Sequence, residues 1–172
     1  MGAGKSTVGP LLADRLGHRF VDLDWLVEAR EKRTVADLFA EGELAFRAAE
    51  ARALAESTKR PGLVVATGGG TLLDAENLRR ARSAGAVVWL RASAAATLRR
   101  LADGAGRPLL ADATGAPLQG EALAARVRDL LAVRRPLYAR ADLAVEADAV
   151  PEVVARDAAE ALQGWSRRAG SG

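Results

Sequence analysis

Apolar positions recur along this chain with two different spacings, and the changes between them mark its elements. Val8, Leu11, Leu12 and Leu16 follow at helical spacing behind a glycine-rich start, and Gly17 reads as the helix C-cap. His18 to Asp22 reads as a short strand centred on Phe20 and Val21. His18, the only histidine, reads as a surface residue at its mouth. From Trp25 to Ala55 the pattern is helical in pieces. Thr34 is an N-cap before Val35 to Phe39, and Gly42 interrupts before a longer helix through Phe46, Glu50 and Leu54. Pro61-Gly62 turns the chain into Leu63 to Thr67, a continuous apolar run of the buried-strand type that ends in Gly68-Gly69-Gly70.

Asp74 can cap a helix through Leu78. Ala86 to Leu90 reads as a second buried strand, and Ser93 caps a helix to Leu101. Residues 103–120 carry glycines and prolines without periodicity, and a loop of that length in a compact domain points to a lid. Helix resumes at Glu121 and is expected to stop at Arg135, before Pro136. Asp142 to Ala147 reads as the last strand, Pro151 opens the closing helix, and Arg167 to Gly172 reads as a frayed tail. Strands alternating with helices, most of them apolar throughout, predict an α/β fold with a parallel sheet covered on both faces. A length of 172 residues predicts a single domain over 1–172.

Composition narrows the function classes. Without cysteine the chain has no disulfide, thiolate metal site or cysteine nucleophile. No apolar run is long enough to span a bilayer and no export signal is evident, so the cytoplasm is the expected compartment. The net charge is only +3, with arginines scattered and no basic-aromatic platform. That favours anionic small molecules over nucleic acid or membrane as partners.

The chemistry starts at the first residues. Gly4-Lys5-Ser6 is the second half of the phosphate-binding pattern G-x-x-x-x-G-K-[ST]. The glycines let backbone N–H groups close around a phosphate, Lys5 adds a cation, and the Ser6 hydroxyl can ligate Mg²⁺. The pattern's first glycine would lie five residues before Gly4, ahead of Met1, and no apolar strand feeds the loop. The expectation is therefore a chain lacking its first strand, with four visible strands.

Asp22 and Asp24 bracket Leu23 at a strand end. One could bind magnesium through water while the other holds a hydroxyl to be phosphorylated; alternatively Asp24 caps the next helix and Asp22 is solvated. Gly68-Gly69-Gly70 allows close approach to exposed N–H donors, or simply makes a tight turn. Arg47 and Arg134 could hold a carboxylate between planar forks, or lie on solvated helix faces; Arg107 could close from the lid on a γ-phosphate. Trp25, Trp89 and Trp165 read as packing residues, with Trp25 of interest beside Asp24.

Together Gly2 to Thr7, Asp22-Leu23-Asp24, Phe46-Arg47-Ala48-Ala49-Glu50, Val64 to Gly70, Arg107-Pro108-Leu109-Leu110 and Arg134-Arg135-Pro136-Leu137-Tyr138 resemble the shikimate kinase family. This is a small branch of the nucleoside-monophosphate-kinase-like P-loop enzymes. The resemblance runs from Met1 to about Pro151. It implies a P-loop three-layer αβα fold with strand order 2-3-1-4-5, a substrate-binding region near 23–50, and a lid near 103–120. It implies a monomer that transfers the γ-phosphoryl group of ATP to the 3-hydroxyl of shikimate, on the path to chorismate and the aromatic amino acids. Gly2, Ala3, Gly4, Lys5, Ser6 and Thr7 would cradle the phosphates, with Ser6 and Asp22 at Mg²⁺. Lys5, Asp24 and Arg107 would be catalytic. Asp24, Arg47, Gly68, Gly69, Gly70 and Arg134 would hold shikimate, and Arg100, Arg107 and Pro151 would border the nucleotide. The other readings are a related kinase for gluconate or a nucleotide, and a non-catalytic nucleotide-binding descendant.

Overall fold

In the computed structural model, which describes residues 2–101, 108–112 and 114–169, each strand is four residues long and runs parallel to its neighbour. Strand β1 (Arg19–Asp22) pairs with β2 (Leu63–Ala66), Arg19 opposite Leu63 and Asp22 opposite Ala66. Strand β3 (Val88–Arg91) pairs with β4 (Leu143–Glu146) in the same sense. Helices follow each strand, as parallel connections require. They are α1 (Lys5–Leu16), α2 (Leu23–Glu31), α3 (Val35–Glu41), α4 (Glu43–Ser57), α5 (Ala75–Ala84), α6 (Ala94–Leu101), α7 (Gly120–Tyr138) and α8 (Pro151–Ala169).

Alternation along the strands builds the layers. Val64, Val88, Leu90 and Val145 join a cluster with Val8 and Leu12 of α1 and Val154, Ala155 and Ala158 of α8. Val65, one residue on from Val64, meets the opposite cluster of Leu23, Val27, Phe46, Ala49 and Ala53. A third cluster joins Leu101 of α6 to Val127 of α7 and to Leu110. The two strand pairs occupy the outer places of the order 2-3-1-4-5. No described strand lies between β2 and β3. A cavity of about 590 Å³ there is lined by Val64, Val65, Val87, Val88 and Leu12. For that reason Leu63 to Val65 and Val88 to Leu90 are half-buried and not the fully buried runs their composition suggested.

Local signals set several boundaries as expected. Thr34 and Asp37 form a reciprocal capping box at α3, Gly42 separates α3 from α4, Gly17 caps α1 in the left-handed region, and Pro151 opens α8. Other boundaries move. Helix α7 does not stop at Arg135 but continues through Pro136 to Tyr138. So near the C-terminus proline forfeits a single intrahelical bond, and its fixed φ is already helical. Arg167 and Arg168 belong to α8 and not to a frayed tail. Within the expected lid, Pro108–Leu110 form a 3₁₀ turn, Ala111 bridges Pro117, and Leu110 is buried under α7. Trp25 is 62% exposed, its ring T-shaped to that of Phe20 at 6.4 Å and its side chain on the wall of the cleft described below, so it is not a core packing residue. Among the described residues no helix is long and apolar enough to cross a membrane.

Candidate active site

The C-terminal ends of β1 and β2 and the start of α1 converge on one cleft of about 710 Å³. Parallel α/β sheets place ligands at this end, where strands stop and helix N-termini begin. Gly4 adopts φ 87°, a left-handed turn that delivers the chain into α1, so the free amides of the first turn open on the cleft.

Asp22 ends β1 and caps α2. Its Oδ1 accepts from the Asp24 amide at 3.0 Å, and its Oδ2 accepts from the Ser6 hydroxyl at 2.6 Å. The alternative in which Asp24 caps a helix from Trp25 and Asp22 is solvated is therefore excluded: α2 begins at Leu23, and Asp22 is only 8% exposed. Capping by Asp22 leaves the Asp24 side chain uncommitted. Its Oδ1 is buried with no hydrogen-bond partner among the described residues. Burial, then the charges of Asp22, Glu50 and Glu28, raise its pKa above the ordinary aspartate value, against the pull of Lys5. A buried acceptor of this kind is incomplete until a donor arrives. Asp24 lies between the phosphate loop and the arginines, so a ligand hydroxyl can be that donor.

The far wall carries the cations. Arg47 projects from α4, where its Nη1 donates to Glu50 at 2.7 Å and its Nε and Nη2 to Glu43 at 3.2 and 3.0 Å. Burial works against its charge, but these carboxylates outweigh it and raise its pKa. The Phe46 ring lies 5.2 Å from the guanidinium carbon. The backbone of Gly70 rests directly against that guanidinium: a Cβ there would fall within 2.7 Å of three of its atoms. Gly68 is held equally close to the Glu50 carboxylate. These are close approaches, not merely a tight turn. Arg134 of α7 is 8% exposed, and among the described residues no carboxylate pairs with it. A buried guanidinium without an anion calls for one from a ligand.

The structure thus brings Gly2, Ala3, Gly4, Lys5, Ser6, Thr7, Asp22, Asp24, Arg47, Gly68, Gly69, Gly70, Arg100, Arg134 and Pro151 to a single cleft. Arg100 ties its two ends, donating to the Ala147 carbonyl at 2.6 Å and the Gly2 carbonyl at 3.5 Å. Arg107 lies outside the described residues. Sequence reasoning passed over Glu50 except as part of its motif. It is 1% exposed and receives both Arg47 and the Thr71 hydroxyl. An acid three residues after Arg47 on one helix face was the available signal. No group of three or more metal-ligating side chains occurs among the described residues. Two adjacent oxygens, Ser6 Oγ and Asp22 Oδ2, nevertheless suit Mg²⁺, which keeps most of its waters.

The shikimate kinase family model matches residues 1–163. A shikimate kinase of Chlorobium chlorochromatii is 43% identical over 149 residues, covering 86% of this chain and 78% of that protein. One from Gloeobacter violaceus is 44% identical over 164 residues, covering 94% and 88%. Among solved structures, the shikimate kinase of Acinetobacter baumannii in complex with shikimate superposes with a TM-score of 0.86 at 36% identity, over 95% of this chain and 89% of that one. With agreement across nearly its whole length in both sequence and backbone, the chain belongs to the shikimate kinase family.

Proposed function

We propose that this protein transfers the γ-phosphoryl group of ATP to the 3-hydroxyl of shikimate. The observation that carries the reading is the buried, partnerless Asp24 oxygen set between a phosphate loop and two arginines. ATP lies with its phosphates over residues 2–7 and its base between Arg100 and the loop before Pro151. Shikimate binds with its carboxylate against Arg47, Arg134 and the Gly70 amide, which turns its ring hydroxyls toward Asp24.

Asp24 accepts the hydrogen bond of the 3-hydroxyl, whose oxygen forms a bond to the γ-phosphorus. The bond from that phosphorus to the β,γ-bridging oxygen breaks, ADP leaves, and the proton passes to Asp24 and then to solvent. A pKa raised by burial and by the neighbouring carboxylates suits this role, because it makes the carboxylate a better proton acceptor. Lys5 offsets charge on the phosphates. Mg²⁺, held by Ser6 with Asp22 behind it, would screen the β- and γ-phosphate charges. Arg107 would add a further cation from the lid at 103–120.

The test is ADP release with Mg·ATP in the presence of shikimate, gluconate or a nucleoside monophosphate. Turnover confined to shikimate is expected. Folded protein that binds ATP but turns over gluconate or a nucleotide instead refutes the assignment.

A further inference from the structure

Tyr138, the last residue of α7, sends its hydroxyl across 69 positions of sequence to donate to the Gly69 carbonyl at 2.6 Å. Its ring is held 6.0 Å from Trp89 of β3. Arg134, one turn earlier on the same helix face, acts electrostatically on the phenol oxygen, as does Arg47 from α4. The loop that receives the bond has no side chains of its own. The Gly68 and Gly70 carbonyls are held locally, by the amides of Thr71 at 3.3 Å and Leu73 at 3.1 Å, whereas the Gly69 carbonyl between them accepts from Tyr138, so that contact bears on the peptide plane glycine leaves freest. The peptide between Gly69 and Gly70 is trans, and in a trans peptide the carbonyl and the N–H point in opposite directions. Drawing the Gly69 carbonyl toward Tyr138 therefore turns the Gly70 N–H away from it. That amide donates to no described acceptor, and its residue rests against the Arg47 guanidinium.

We infer that Tyr138 is a positioning residue for the carboxylate subsite: its hydroxyl orients the Gly69–Gly70 peptide so that the Gly70 N–H joins Arg47 and Arg134 on the substrate carboxylate. The inference rests on the function proposed above. The phenol also links α7, which carries Arg134, to the loop that carries Gly70. The spacing of the two donors is thereby held before substrate arrives, and preorganisation of this kind reduces the cost of binding.

Tyr138→Phe keeps the ring on Trp89 and deletes only the hydroxyl. One neutral hydrogen bond contributes about 0.5–1.5 kcal/mol, so KM for shikimate should rise about two- to twelvefold. kcat and the KM for ATP should stay within about twofold, since nothing on the nucleotide side changes. A purely structural role would leave substrate discrimination unmoved, so shikimate is compared with its carboxamide analogue. The preference of the wild-type protein for the carboxylate should shrink in Tyr138→Phe by the same factor as the rise in KM. Unchanged discrimination, a parallel rise in both KM values, or failure of the variant to fold would each overturn the inference, the last by making the hydroxyl a folding determinant. If the wild-type protein itself ignores shikimate, the proposed function falls and this inference with it. A working wild type with an unaltered variant removes Tyr138 alone.

Discussion

Replacing Glu50 by glutamine tests how the cleft holds its own cations in place. Glu50 is 1% exposed and takes two donors, Arg47 Nη1 at 2.7 Å and the Thr71 hydroxyl. Glutamine keeps the volume and can still hydrogen-bond Arg47 through its carbonyl and the Thr71 oxygen through its NH₂, with the Thr71 proton passing to the Gly68 carbonyl at 3.1 Å, but it removes the negative charge that pairs with the guanidinium. A hydrogen bond to a charged group contributes about 1.5–3 kcal/mol. Arg47 retains Glu43 at 3.0 Å and the Phe46 ring at 5.2 Å, which places the loss toward the lower half of that range. About 2 kcal/mol in a domain of this size lowers Tm by about 4–8 °C. Glu50→Ala also strips Thr71 of one partner, leaving the Gly68 carbonyl at 3.1 Å, and breaks a buried ion pair outright, so it should cost about 3–5 kcal/mol. Thermal unfolding by circular dichroism, with shikimate and ATP titrations on the same preparations, separates the two consequences. KM for shikimate should rise while KM for ATP holds. Because the Glu50 charge helps raise the Asp24 pKa, the acid limb of kcat/KM should also move to lower pH in Glu50→Gln. A Glu50→Gln protein with unchanged Tm and unchanged shikimate KM would refute the idea that this carboxylate organises Arg47.

Asp24→Asn should lower turnover by about 10²–10⁴-fold with ATP affinity retained, read by single-turnover kinetics and nucleotide titration. The same variant should gain stability toward neutral pH. A carboxyl whose pKa is raised by folding contributes stability below its unfolded value, and that contribution is lost as pH rises through the folded value. The gap in Tm between variant and wild type should therefore widen from acid to neutral pH, and a constant gap would contradict the assignment. Arg134→Ala should raise KM for shikimate by about 10–100-fold, the worth of a charged hydrogen bond, and leave ATP nearly untouched. Equal effects on both substrates would remove Arg134 from the carboxylate. Ser6→Ala should shift the Mg²⁺ concentration needed for half-maximal rate upward; an unmoved Mg²⁺ titration would take the Ser6–Asp22 pair out of metal binding.

What the sequence made legible follows from how far apart the interacting groups lie. The capping box of Thr34 and Asp37, the αL glycine at 17, the break at Gly42 and the start at Pro151 each involve neighbours within a turn, and each is where local chemistry puts it. The breaker rule failed at Pro136 because it weighs a lost bond without weighing what holds the helix beyond it. Tyr138 is tied to Gly69, and that tertiary bond keeps the final turn in register. Asp22 and Asp24 were ambiguous for a related reason. Either of two carboxylates at spacing two can cap the helix, and the choice falls to Asp22 through the helix start at Leu23, the Asp24 amide and the Ser6 hydroxyl that also holds it. Glu50 shows the limit most clearly. Its partner Arg47 is three residues away and readable, whereas Thr71 and the Gly68 backbone meet it only once β2 has delivered the glycines to α4. Gly68 and Gly70 are therefore glycine on different grounds than turn geometry alone. One makes room for the carboxylate that anchors Arg47, the other for the guanidinium itself, so both members of the Arg47–Glu50 pair rest against a loop that carries no side chain.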